Sequence, residues 1–150
     1  SLRALVEAEP LIAQLERFPA LYGQAMARRF CWRLGVIPGD DSDTMIQSAV
    51  RAMITTATPI DRFFHDWRGG TARIGTDYSD AAWGEFRAAI SGFGAVPGAK
   101  DHAYWADPQP CSMHIEEVEA IWAAIAENDD WTPLHTKVTA IRRMGEAHGG

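Results

Sequence analysis

Cys111 and His114 stand three residues apart, with Glu117 one turn further on, and they are the best set of metal-ligating groups in the chain. Cys-x-x-His on a turn can supply two of the four ligands of a tetrahedral zinc site. Only Cys31 and the adjacent Asp101 and His102 could close it, and there is no second Cys-x-x-Cys or His-x-x-x-His pair. Cys111, His114 and His102 are therefore the metal candidates, and the simpler expectation is that no metal is bound and His114 is a polar residue in the first turn of a helix. His114-x-Glu116 shares two residues with the zinc deaminase signature, but no Cys-x-x-Cys follows. His65 beside Asp66 could be a base with its orienting acid, yet neighbours on a helix point about 100° apart. Gly92-x-Gly94 with Gly98 follows a helix and opens none, unlike a dinucleotide loop. No catalytic constellation is complete.

The segments that carry these residues read as helices. Leu11, Ile12, Leu15, Phe18, Leu21, Tyr22, Met26, Phe30 and Leu34 recur at three- and four-residue spacing, punctuated by Pro10 and Pro19, each suited to a first helical turn. A clean helical period follows from Asp41 through Met45, Ile46, Ala49, Val50, Met53 and Ile54. "TPIDRFFHDWRGG" predicts a short helix capped by Thr58, with Asp61 as capping-box acid, Ile60, Phe63, Phe64 and Trp67 inward, and Gly69 and Gly70 ending it. Arg62, His65, Asp66 and Arg68 are left to face solvent or a partner. Trp83, Phe86, Ile90 and Phe93 mark a fourth helix. Residues 92–112 hold three Gly and three Pro, so a long ordered loop pinned by Tyr104 and Trp105 is expected. Ser112 should cap a helix with Ile115, Val118, Ile121, Trp122 and Ile125, and Thr132 and Pro133 start a last one with Leu134, Val138 and Ile141. The expectation is an all-α fold, about six helices in one compact domain over residues 1–150.

Composition narrows the function classes. Hydrophobic residues make up 47% of 150 and charged ones 23%, enough to fold a core and unlike a disordered chain. The net charge of −6 argues against a nucleic-acid surface. No apolar run reaches the roughly 18 residues of a membrane helix and no signal-peptide layout opens the chain, which places it in the cytoplasm. Two cysteines far apart read as reduced. The chain begins inside an amphipathic pattern, Leu2, Leu5 and Val6 on one face, as a piece of a longer protein would. Six Trp are many for this length; core anchoring is the ordinary use and interface the alternative. Phe63, Phe64, Trp67, Arg68, Tyr104 and Trp105 are the packing or interface candidates.

Five segments in order, "FPALYGQAMARRFCWRLGV", "DDSDTMIQSAVRAMI", "PIDRFFHDWRGG", "PQPCSMHIEEVEAIWAAIAENDDW" and "HTKVTAIRRMGEA", resemble the C-terminal part of the selenoprotein O family of pseudokinase-like enzymes. The resemblance implies a helical C-terminal subdomain of a protein-kinase-like fold. It implies a parent enzyme that transfers AMP from ATP, with magnesium, to hydroxyls of protein substrates. The upstream kinase-like lobes of the same chain would be its partner, and neither nucleic acid nor membrane is expected. The residues that do this chemistry lie upstream in the family, so no catalytic or cofactor-binding residue carries over and the piece would be structural. A stand-alone helical interaction module is the alternative; a small metal-dependent enzyme around Cys111, His114 and His102 is the third.

Overall fold

The computed structural model describes residues 8–149, all-α with six helices and no strand among them. The amphipathic opening at Leu2, Leu5 and Val6 and the Leu11 side chain lie outside the described residues. Helix α1, Ala8–Leu34, runs 27 residues without a break at Pro19. A proline there removes one backbone hydrogen bond and costs about 3 kcal/mol, so the length of the surrounding helix has overridden the expected boundary. Pro10 also lies within α1.

The core gathers at the C-terminal end of α1. Phe30, Cys31 and Leu34 pack there against Met45, Ala49 and Met53 of α2, Ser42–Thr56. Helix α3, Ile60–Asp66, and α4, Gly84–Ile90, close the core from the other side. The aromatic residues interlock at its centre. Phe63 is fully buried, stacked on Trp83 at 5.7 Å and edge-on to Phe64 and Phe86, both at 5.2 Å. Trp67 meets Phe86 at 4.8 Å, and Tyr78 meets Trp83 at 4.8 Å. These offset and edge-to-face contacts are the favoured geometries of aromatic rings.

Several local expectations are corrected. Pro59 precedes the first residue of α3 and no side chain caps that end, because Asp61 instead pairs with Arg33 of α1 at 2.5 Å. Ile60 is exposed. Helix α5, Ile115–Asn128, starts after His114 without a cap from Ser112; the Ser112 carbonyl instead accepts from Lys137. On α5 only Ile121 is buried, with Ile115, Val118 and Trp122 on the open side. Helix α6, Thr132–Ala147, begins with Pro133 in its first turn as expected.

The loop between α4 and α5 is ordered by a 3-10 turn at Ala103–Ala106, which buries Tyr104. It is tied back to the end of α1 by an isolated bridge between Val36 and Ala95. Of the six Trp, Trp67 and Trp83 are core and Trp105 is half-buried, whereas Trp32, Trp122 and Trp131 are exposed.

Candidate functional site

Phe63 through Arg68 are six consecutive buried residues. A helical turn buried all round must bury its polar residues too, and the last turn of α3 does. Phe63, Phe64 and Trp67 enter the aromatic core. His65, Asp66 and Arg68, expected at the surface, are 4%, 2% and 7% exposed on the opposite side. The loop 99–107 and residues 72–74 cover them, which sequence spacing could not disclose.

Each buried polar group has a traceable partner set. Asp66 Oδ2 accepts from Arg62 Nε at 2.9 Å and from the Tyr78 hydroxyl at 3.0 Å. Burial, with the Asp66 charge adding to it, pushes the Tyr78 hydroxyl pKa up. Arg68 donates through Nε to the Ala99 carbonyl at 2.9 Å and through Nη1 to the carbonyls of Trp32 and Arg33 at 2.8 and 3.0 Å. The last two belong to the final turn of α1, where carbonyls lack helical partners and a cation is favoured. Burial pulls the Arg68 pKa down.

Arg73 holds the loop in the same way, donating to the carbonyls of Ala106 at 2.9 Å and of Asp107. His65 Nδ1 lies 3.4 Å from Arg73 Nη1 and 3.7 Å from Asp66 Oδ1, the second too long for a hydrogen bond. Burial first, and then the Arg73 charge, lower the His65 pKa, so the ring is neutral at pH 7. His65 and Asp66 thus sit side by side without forming a base and orienter pair.

These residues line a cleft of about 300 Å³ together with Lys100, Ala72, Ile74 and Trp105. Arg68 lies over the Trp105 ring at 4.5 Å. Two glycines make room for the cations. A Cβ on Gly35, at φ +69°, would stand 2.8 Å from Arg68 Nε, and one on Gly69, at φ +75°, would stand 3.0 Å from Lys100 Cε.

The metal candidates are placed apart in function. Cys111 lines a larger cleft of about 680 Å³ between α5, α6 and the loop, where Lys137 pairs with Glu117 at 2.6 Å and Arg143 with Asp107. Burial raises the Cys111 thiol pKa, which keeps it a protonated, weak nucleophile at neutral pH. Its backbone N–H donates to the Tyr104 hydroxyl at 2.9 Å. His114 is exposed and lines a neighbouring groove. The His102 ring accepts from the Tyr104 N–H at 3.1 Å and so caps the 3-10 turn. Cys31 is a free core thiol 3.7 Å from the Ser42 hydroxyl. Among the described residues no three His, Cys, Asp or Glu gather as metal ligands.

Arg73, Lys100, Lys137 and His148, absent from the sequence-based candidates, all take part in these two clefts or their walls. Arg73 and Lys100 lie in loops without a periodic signal, whereas Lys137 lies on α6 and His148 just after it. No family model, curated protein or solved structure matches the chain. No helix among the described residues is long and apolar enough to cross a membrane.

Proposed function

We propose that this chain is a helical docking domain that packs, through one face of α1, on the kinase-like lobes of a selenoprotein O-like protein adenylyltransferase in the cytoplasm. The observation that supports docking is the state of that face. Ile12, Leu15, Phe18, Leu21, Tyr22 and Met26 are between 44% and 65% exposed, although they keep the spacing of a buried helix face. A contiguous apolar stripe of this kind marks a surface that another protein covers. The α1 residues that enter this domain's own core, Phe30, Cys31 and Leu34, lie beyond it toward the C-terminus.

The identity of the larger body rests on the order of the five family-like segments. In this reading AMP transfer, ATP and magnesium belong to that body, and the present chain supplies structure. The test is the intact mass of the native gene product, by blot against this domain in the source cell. A product of about three domain lengths that transfers labelled AMP, while the isolated chain does not bind ATP, is the expected result. A product of this chain's own mass refutes the adenylyltransferase reading and leaves α1 as the binding face of a separate interaction module.

A further inference from the structure

We propose that the cleft over Asp66 and Arg68 binds a small phosphate monoester, a ligand site that does not depend on the docking role. The first ground is charge. Arg33, Arg51, Arg62, Lys137 and Arg143 each sit in an ion pair with a carboxylate. Eight other Lys or Arg among the described residues have none, and three of these, Arg68, Arg73 and Lys100, line this one cleft. Their hydrogen bonds go to backbone carbonyls and, at 3.4 Å, to the His148 and His65 rings, so none of the three is hydrogen-bonded to a carboxylate. Arg68 is the buried one of the three, and a charge removed from water is costly unless a counter-charge is supplied. The only acid on the wall is Asp66, already held by Arg62. Three cations and one carboxylate leave +2, in a chain whose total is −6. A phosphate monoester dianion matches that excess and a carboxylate meets half of it. Guanidinium groups also suit phosphate oxygens in geometry.

The second ground is unmet hydrogen bonding. Four buried side-chain polar atoms lack partners among the described residues: His65 Nε2, Asp66 Oδ1, Trp67 Nε1 and Trp105 Nε1. Three of the four belong to residues on the wall of this cleft. Asp66 is 2% exposed, and its Oδ2 is turned to Arg62 and Tyr78, which line the groove on its other side. Oδ1 is left toward His65, on the side of the cleft. An acceptor there asks for a hydroxyl or amino group on the ligand's organic part, with half-buried Ala72 beside it and the exposed Ile74 at the rim. A volume of about 300 Å³ is at the lower end of small-molecule sites, enough for a phosphate and a short organic chain. Gly35 and Gly69 supply a third ground, since side chains there would displace Arg68 and Lys100.

The test titrates the full chain, in phosphate-free buffer, with glycerol 3-phosphate, inorganic phosphate and lactate. Calorimetry gives affinity, and the indole N–H resonance of Trp105, assigned with Trp105→Phe, reports location. One glycerol 3-phosphate should bind saturably and shift that resonance, with lactate at least about tenfold weaker. Lys100 is exposed and makes one long hydrogen bond, to Thr71 at 3.3 Å. Lys100→Glu should therefore keep the melting temperature and weaken binding at least about tenfold. No saturable phosphate binding, equal affinity for lactate, or binding untouched by Lys100→Glu overturns the assignment. A phosphoserine peptide at least about tenfold tighter than glycerol 3-phosphate also overturns it, in favour of peptide recognition.

Discussion

His148 is held between the rings of Trp32 and Trp105, with centroids 4.9 and 5.0 Å away, and Arg68 Nη1 lies 3.4 Å from its Nδ1. Burial first, then the charges of Arg68 and Arg33, lower its pKa from the ordinary 6.5 to about 4. The unfolded chain therefore takes up this proton near pH 6.5 and the folded chain only near pH 4. The stability tied to neutral His148 is fully present above about pH 6.5 and is lost as the pH falls toward about 4, with no further loss below. A shift of about 2.5 units at 1.36 kcal/mol each sets an upper bound of about 3 kcal/mol.

Release of the last turn of α6 would expose the ring without unfolding the domain, so the global loss cannot exceed the cost of that release. The assay is urea unfolding of the native chain and of His148→Phe from about pH 7 to about pH 4.5. Carboxylates and His65 titrate in both proteins and cancel in the difference. The difference in stability between the two should move by about 2 kcal/mol in favour of the variant as the pH falls. Parallel curves, within about 0.5 kcal/mol, together with a His148 titration midpoint near 6.5 by NMR, would refute the burial argument.

Phe63→Ala should cost about 3–5 kcal/mol in urea unfolding, because a fully buried ring at the centre of the aromatic core is removed. Gly35→Ala combines a left-handed backbone with a Cβ 2.8 Å from Arg68 Nε, so a loss of about 2 kcal/mol or more is expected in the same assay. Ala57 ends α2 at φ 52°, where glycine carries no Cβ penalty, and Ala57→Gly should raise stability by up to about 1 kcal/mol. Leu15→Glu with Phe18→Glu should change the stability of the isolated chain by less than about 0.5 kcal/mol, since both side chains are exposed. The same pair should abolish pull-down of the larger body by α1.

Helices α2, α4 and α6 were legible because a period of 3.6 and a stop signal coincide in each. Helix α3 was legible as an element and misread as a surface. Its seven residues end at Asp66, ahead of a 3-10 turn at Arg68–Gly70, and nothing in the spacing of His65, Asp66 and Arg68 tells that a loop thirty residues later will cover them. Burial of a charged residue depends on carbonyls supplied from elsewhere, here those of Trp32, Arg33 and Ala99. That information lies in tertiary structure. The Cys111 and His114 spacing failed differently: it is correct for a turn, but α5 begins after His114 and leaves that side chain exposed, while Cys111 lines the cleft beside Lys137.

The N-terminal part of α1 shows the complementary limit. Hydrophobic period reports that a face must be covered and is silent on what covers it. Phe18 and Tyr22 stack at 5.9 Å on a face that this domain leaves open, and Phe30 and Leu34, in the same helix and the same pattern, are core. The transition falls where the helix meets α2 and α3. The large apolar side chains before it, from Ile12 to Met26, stay exposed in this domain. In the docking proposal, Ile, Leu, Phe, Tyr and Met there specify a second packing event, and its test is the pairing of Leu15→Glu and Phe18→Glu with unchanged stability and lost association.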